Sequence, residues 1–380
     1  MKVLFVSRWG VQCGIATYTQ QLVEALSRFE IKCVCAAQKK GGMPLVDAPK
    51  DIPVSFCWTE KEESLEGVFH LINKEKPDII HMQHEFGLFH NPRAVMGFFN
   101  EMKRQRKKIV ITCHTIVEPP SHFAWFFLDP IKVCNRIICH MESAIPVLRK
   151  WKITGNKIAL IPHGTKEECY KKEKMEARHR LFLPQDEDLI VALSLGFITS
   201  GKMQHEGIRA IIDLVHEGLI DPLKFLYVIA GIPGLNHPEN VKYCNELHQL
   251  VTENRAWNYI RIVPRFIQDE DLPDWYGAAD FMITGSHPTC YSISGRSHQE
   301  MAFGMPTVSA NELILSDFNE YRSLKYQQLK GLKIGIMRLI NERSLRESLS
   351  YRCMQFAEQT SWTNVAKQHI SLYKDVISGA

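Results

Sequence analysis

Five short segments of this 380-residue chain gather side chains that could do chemistry, and each follows an apolar run. The first is Arg8-Trp9-Gly10-Val11-Gln12-Cys13-Gly14, leading into a helical pattern. Gly10 and Gly14 would let the backbone approach a ligand, and a helix start offers N–H groups to an anion. The spacing is not GxGxxG, so it gives little support to a dinucleotide site, and a plain strand–helix turn accounts for it as well. The second is Gln83-His84-Glu85-Phe86-Gly87-Leu88-Phe89-His90, where adjacent His and Glu suit acid–base work or sugar hydroxyls. A polar turn packed by Phe86 and Phe89 is the competing reading. The third puts His114 at a strand end in Thr112-Cys113-His114-Thr115. The fourth, Gly196 to Lys202, sets a lysine in a Gly/Ser loop that suits a phosphate but lacks the Walker spacing. The fifth, Gly285 to Ser297, brings Ser292, Ser294, Gly295 and Arg296 to a helix start, a plausible diphosphate seat.

Two acidic clusters, Asp186-Glu187-Asp188 and Asp269-Glu270-Asp271, have the look of metal-binding DxD triplets. The second precedes Leu272-Pro273-Asp274-Trp275, so it reads better as a helix N-terminus with favourable dipole charge. No metal site is expected at either. The basic run Lys103 to Lys108 reads as a solvated helix end, with contact to an anionic membrane as the sharper alternative. Interleaved aromatics and any nucleic-acid module pattern are missing, so nucleic-acid binding is not expected.

These loops need strands to hold them. Short apolar runs at 2–7, 31–36, 78–82, 109–112, 136–139 and 157–161 alternate with helical patterns at 16–29, 64–75, 92–107 and 141–151. The alternation restarts with strands at 189–195, 224–230, 259–263, 279–284 and 307–309. Helices are expected at 205–217, 240–254, 271–278, 296–303, 318–326, 330–340 and 343–358. Such alternation predicts α/β domains with parallel sheets covered on both faces. The charged, poorly periodic residues 166–188 read as a linker, giving domains 1–165 and 189–358 and a tail 359–380. Ligands of open α/β sheets bind beyond the carboxyl ends of the strands, so the active site is expected in a cleft between the domains.

Composition sets the outer bounds. Hydrophobic residues make up 45% and charged residues 23%, which excludes disorder, collagen and coiled coil for the bulk of the chain. No apolar run reaches the length of a membrane span, and the first residues read as a strand, not a signal peptide. Eleven cysteines without a CxxC pair fit reduced thiols in the cytoplasm. The net charge of +4 hides an asymmetry: residues 1–180 carry 28 Lys and Arg against 19 Asp and Glu, whereas 181–380 carry 18 against 23. Two halves of opposite sign suggest different ligands, with an anionic acceptor, a membrane surface or nucleic acid for the first; two ordinary solvated surfaces account for the charges as well.

At the level of whole motifs the chain resembles retaining, nucleotide-sugar-dependent glycosyltransferases of the group-1 (glycogen-synthase-like, family 4) class. Cys13-Gly14-Ile15-Ala16-Thr17-Tyr18-Thr19 is similar to the CGIAT(F/Y)T of one branch, and Gln83 to Phe89 to its QHEFGIF. Thr112 to Thr115 matches a strand-end His motif, and Ile161-Pro162-His163-Gly164 an IPHG. Ala278-Ala279-Asp280 through Gly304-Met305-Pro306-Thr307-Val308 matches the donor-binding strand, loop and helix. The tail, from Ser361-Trp362-Thr363 to Tyr373, resembles the last helix, which in this class crosses back to the first domain.

The resemblance implies a GT-B fold, two Rossmann-like domains facing a cleft. It implies a glycosyl group moved from a nucleotide-diphosphate sugar to an acceptor hydroxyl with retention, without a metal or other cofactor. His114 would lie by the sugar, with Lys202 and Arg296 on the diphosphate as catalytic cations. Gly10, Gly14, Ser292, Ser294, Gly295 and Gln299 would bind the donor; Gln83, His84, Glu85 and His163 would contact substrate. The acceptor would be a glycan, a lipid-linked sugar or a small molecule, and the location cytoplasmic, with peripheral membrane contact through the basic half. Three departures stand out. Phe197 replaces the usual Arg, and Tyr291 and Gln299 occupy the positions of the usual Glu pair, with Glu300 one place off and expected to point elsewhere. These keep open a sugar-nucleotide epimerase, a phosphorylase, or an inactive nucleotide- or glycan-binding relative.

Overall fold

The structure is a computed structural model that describes residues 1–39, 41, 45–61, 64–89, 91–118, 131–153, 155–234, 238–287 and 291–379. His90 of the second loop and 288–290 of the fifth lie outside the described residues. In chain order the first half comprises β1 Lys2–Ser7, α1 Gly14–Ser27, β2 Lys32–Gln38, β3 Val54–Trp58, α2 Glu66–Glu75, β4 Ile79–His84, α3 Pro92–Arg104, β5 Ile109–Cys113, β6 Thr115–Ile116, β7 Arg136–Cys139, α4 Ala144–Lys150 and β8 Ile158–Leu160. Then come α5 Lys174–Arg180, β9 Ile190–Leu195, α6 Gln204–His216, β10 Phe225–Ala230, α7 Pro238–Glu253, β11 Ile260–Val263, α8 Leu272–Ala278, β12 Phe281–Thr284, β13 Tyr291–Ser292, α9 Gly295–Ala302, β14 Thr307–Ala310, β15 Leu324–Tyr326, α10 Leu329–Asn341, α11 Arg343–Gln359 and α12 Trp362–Ser378.

The chain divides into two compact units, Met1–Gly164 with Cys290–Gly295 and Thr360–Ala380, and Thr165–Thr289 with Arg296–Gln359. In the first, seven parallel strands run in the order β3-β2-β1-β4-β5-β7-β8. β1 is apolar on both faces, as a central parallel strand must be. Leu4 and Val6 pack with Val68, Phe98, Phe99 and Val147 on the side of α2, α3 and α4. Val3 and Phe5 pack with Leu22, Leu26, Val365 and Tyr373 on the side of α1 and α12. The C-terminal helix α12 is thus part of the first unit and lies against α1. Ser361 caps it by accepting from the Asn364 N–H, and Gly379, at φ 81°, ends it.

The second unit repeats the plan with six parallel strands, β11-β10-β9-β12-β14-β15. Both orders reverse direction beside their first strand, next to β4 in one unit and β12 in the other. In doubly wound sheets ligands bind at that reversal, on the loops after the flanking strands. Those are the loops after β1 and β4, and after β9 and β12. Four of the five sequence-selected segments fall there; the fifth, at His114, follows β5.

The structure corrects three readings. Residues 166–188 are not a plain linker: α5 packs on α8, and Arg178, 0% exposed, donates to the carbonyls of Ala278, Asp186 and Leu189 and to Asp280 Oδ2 at 3.1 Å. The buried Arg178 guanidinium and the Lys174–Asp280 pair at 2.7 Å anchor the segment through charged side chains, which is why its apolar periodicity looked poor. Residues 318–326 form turns and the strand β15, paired in parallel with β14, not a helix. The strand β3 escaped notice because, as an edge strand, it buries only Trp58. The ten described cysteines form no disulfide with one another.

Candidate functional site

In the second unit the loop after β9 turns through Gly196, whose φ of 123° suits glycine. A Cβ on Gly231, itself at φ 154°, would stand 1.6 Å from the Gly196 carbonyl oxygen, so the loops after β9 and β10 touch backbone to backbone. A short 3-10 turn, Ser200–Lys202, follows, and Lys202 is half-buried. Gly285, just after β12, lies so close that its Cβ would meet the Lys202 carbonyl oxygen at 2.5 Å.

Arg296 enters from the first turn of α9. A Cβ on Gly196 would meet its Nε at 3.4 Å, so the guanidinium lies along that loop. Its Nη1 donates to Gln299 Oε1, which also takes the Tyr276 hydroxyl at 3.4 Å. One turn after Arg296, Glu300 is 1% exposed and accepts from Thr284 Oγ1 at 2.9 Å. Burial pushes the Glu300 carboxyl up to about 7, against the opposing pull of Thr284, Arg296 and Lys202. The Lys202 ammonium is pulled down, mainly by burial and also by Arg296, with Glu300 opposing. Glu300, expected to point elsewhere than the donor, faces inward onto Thr284, one helix turn from Arg296 and within electrostatic reach of both cations. Lys202, Arg296, Gln299 and Glu300 thus form one cluster, two cations backed by a buried acid. Phe197, where the resemblance expects an arginine, is 46% exposed and adds no charge.

The first unit assembles a different chemistry. His114 follows β5, its N–H donating to the His84 carbonyl at 3.0 Å. Its ring meets Tyr18 edge-on at 4.7 Å between centroids and His140 at 5.3 Å. Tyr18 also packs against His140, His163 and Trp362 at 5.2, 5.1 and 5.0 Å. Burial first, then the neighbouring His140, His163, His84 and His81, hold the His114 imidazole well below its usual range, so it is neutral. His163 Nδ1 lies 2.7 Å from the Gly164 carbonyl, which only accepts, so that nitrogen carries the proton. Its Nε2 faces Gly295, where a Cβ would stand 3.3 Å away. A Cβ on Gly164 would strike the Trp362 ring at 2.2 Å, so only glycine lets α12 close on this turn. Tyr18 and Trp362 stood out only as members of two separate motifs, and His140 not at all; a tyrosine, a histidine and a tryptophan 344 positions from the first meet only through the fold.

The remaining expected residues divide. Gly14 opens α1, and a Cβ there would meet nothing within 4 Å. Gly10, at φ 64°, spends its N–H on Gln20 Oε1 and its carbonyl on the Val46 N–H, which leaves neither for a diphosphate. Ser292 pairs with Thr115 in the antiparallel β13–β6 ribbon, and Ser294 is buried. Tyr291 donates its hydroxyl to Glu118 Oε1 at 2.8 Å. Gln83, expected to touch substrate, is 0% exposed and uses both ends of its amide on protein. His84 is also buried, packed by Phe86 and Phe89, and burial pushes it down to about 3. Glu85 accepts from the Phe86 N–H at 3.0 Å and stabilises its own turn. The polar-turn reading of this loop therefore describes all three side chains. Among the described residues no group of three His, Cys, Asp or Glu could hold a metal ion. Asp269–Asp271 forms a short 3-10 turn running into α8.

Comparisons with known proteins meet this geometry. Residues 13–168 match the family described as Glycosyltransferase Family 4. A D-inositol 3-phosphate glycosyltransferase from Nocardioides sp. is 24% identical over 209 residues, covering 53% of this chain. That stretch is 44% of the relative's own length, so the chain spans less than half of it. Sucrose-phosphate synthase from Thermosynechococcus elongatus superposes with a TM-score of 0.77 at 17% identity, covering all of both chains. HepE from Anabaena, solved with UDP and glucose, gives 0.73 at 16% identity over 99% of this chain and 100% of its own. WaaG, a glycosyltransferase involved in lipopolysaccharide biosynthesis, gives 0.66 at 11% over the whole of both. The two α/β units of this chain are those of the GT-B fold. No helix among the described residues is long and apolar enough to cross a membrane.

Proposed function

We propose that this chain is a glycosyltransferase that moves a sugar from a nucleoside-diphosphate sugar to an acceptor hydroxyl, with retention and without an obligatory metal. The observation that carries the reading is the Lys202–Arg296 pair at the strand-order reversal of the second unit, beside a loop whose glycines bring the backbone close. Similar folds bind such ligands: HepE has been solved with UDP-glucose, and starch synthase IV from Arabidopsis thaliana with ADP and acarbose.

On this reading Lys202, Arg296 and the first N–H groups of α9 take the diphosphate. Charge grows on the leaving oxygen as the glycosidic bond breaks, and preorganised cations stabilise that state more than the ground state. The leaving oxygen itself takes the acceptor proton on the same face, so no dedicated base is needed and configuration is retained. His114, neutral and part-exposed, contacts the transferred sugar. Gln299, tied to Arg296 and Tyr276, fixes the guanidinium, a role different from the glutamate it replaces. The acceptor belongs to the first unit. The reading includes a cytoplasmic location, with the exposed Lys103, Arg104 and Arg106 touching an anionic membrane, which co-sedimentation with anionic vesicles tests.

The test is a panel of nucleoside-diphosphate sugars, followed by thermal shift, diphosphate release and NMR of the product anomer. Selective stabilisation with release of the diphosphate, a retained anomer and activity unchanged by EDTA is expected. An inverted product removes the retaining mechanism, and loss of activity in EDTA removes metal independence. Binding without release would favour the second reading, a nucleotide-binding relative without turnover, which the loss of both glutamates motivates.

A further inference from the structure

His114 ends a chain of buried side chains that reaches back to the C-terminal helix. Its Nε2 lies 2.9 Å from Gln83 Oε1, and Gln83 Nε2 lies 3.2 Å from His81 Nε2. His81 Nε2 also meets Thr112 Oγ1 at 2.8 Å, and His81 Nδ1 meets the Tyr373 hydroxyl of α12 at 2.6 Å. His81, Gln83, Thr112 and Tyr373 are each 0% exposed. The register of β4 on β5 puts Gln83 opposite Thr112, so the sheet itself sets the spacing.

We propose that Gln83, His81 and Tyr373 are positioning residues that hold His114 in one orientation and one tautomer, with the proton on Nε2 and Nδ1 left as its acceptor for a substrate hydroxyl. An amide oxygen only accepts, so a neutral His114 bonded to Gln83 Oε1 must donate from Nε2. The amide nitrogen only donates, so His81 Nε2 is the acceptor and its proton sits on Nδ1, facing Tyr373. Burial lowers both imidazoles well below their ordinary range, so each carries one proton and neither can satisfy two acceptors. The proton positions are therefore coupled along the chain: turning the Gln83 amide over would reverse every donor in it. Among the described residues His114 Nδ1 makes no hydrogen bond, and it is not one of the fully buried unpartnered atoms. It is the ring atom left for a ligand. This role for Nδ1 rests on the glycosyltransferase reading; the tautomer lock itself does not.

Long-range proton–nitrogen NMR of the histidine-15N-labelled full chain, assigned with His114→Asn, reads the tautomer directly. A single Nε2–H form is expected, unchanged across neutral pH. Gln83→Leu should release it to a mixture, whereas Gln83→Glu, which keeps an acceptor toward His114, should retain the proton on Nε2. With the preferred nucleotide sugar, Gln83→Leu and the milder Tyr373→Phe should lower kcat roughly 10- to 100-fold through misplacement of the ring, with nucleoside-diphosphate affinity little changed. An Nδ1–H form in the wild-type chain, or a Gln83→Leu spectrum that does not differ from it, overturns the proposal. A locked tautomer in a protein that turns over no nucleotide sugar would instead leave the lock standing and remove the catalytic reading.

Discussion

The two units share a strand order and a reversal point yet arm them oppositely. The second places one cation in a loop held by glycine-to-backbone contacts, and a second cation and an acid on the first two turns of α9. The first places imidazoles around a tyrosine, each with one ring nitrogen on a carbonyl or amide oxygen. On the glycosyltransferase reading, the same scaffold gives one unit that answers to phosphate and salt and another that answers to hydroxyl geometry. The comparison predicts that substitutions in one should change binding and in the other turnover.

The largest expected effect breaks the scaffold beneath the cations. Gly231→Ala sets a Cβ 1.6 Å from the Gly196 oxygen at a φ that side chains avoid. Backbone has to move, and a loss of about 3–5 kcal/mol is expected in chemical denaturation. A cost below about 1 kcal/mol would mean that the two loops are not in contact.

Next comes Lys202→Ala. Removing a cation from a preorganised anion site should weaken nucleoside-diphosphate binding by about 10²- to 10³-fold while the unfolding midpoint moves little. His114→Ala is the matched change in the other unit, and there turnover should fall with diphosphate affinity kept. Isothermal titration of both variants decides it. Equal affinity in Lys202→Ala and wild type would take Lys202 out of the site.

The contrast also shows what a sequence can carry. The two cation positions carry local signals, a lysine and an arginine each directly after Ser-Gly in a segment that follows a strand. The parallel sheets were legible for the same reason, as short apolar runs alternating with helical periods. Glu300 was expected to point away from the donor position and does turn inward onto Thr284, but its depth, 1% exposed, has no signal in the sequence around it. Gln83, His84 and Glu85 looked like a binding triplet because identity says nothing of burial. Tyr373 reaches His81 across 292 positions, and nothing near either residue announces it.

Glu300 sharpens the electrostatic side. Its folded-state value, about 7, lies above its ordinary 4.5, so the folded chain binds more protons than the unfolded one over that range. The sign is therefore a loss of stability as pH rises from about 4.5 to about 7, on the order of 3 kcal/mol. Glu300→Gln should remove that slope from urea denaturation curves. An unchanged slope would assign the pH dependence to other groups.

The smallest effect on stability isolates function from fold. A Cβ on Gly14 meets nothing within 4 Å, and Gly14 is the first residue of α1 with an ordinary negative φ. Gly14→Ala should therefore leave stability unchanged or raise it by up to about 1 kcal/mol, since alanine loses less backbone freedom than glycine. If the nucleotide sugar comes against the α1 backbone, as the glycosyltransferase reading has it, the same methyl takes up space the ligand needs, and its apparent affinity should fall. Gly10→Ala gives no such separation, because a φ of 64° and two backbone hydrogen bonds to protein make that glycine structural. Affinity and stability measured together on Gly14→Ala decide the point. A stable variant with weakened binding places the donor at the α1 end of the first unit. A stable variant that binds as well as wild type leaves donor recognition to the charged unit alone.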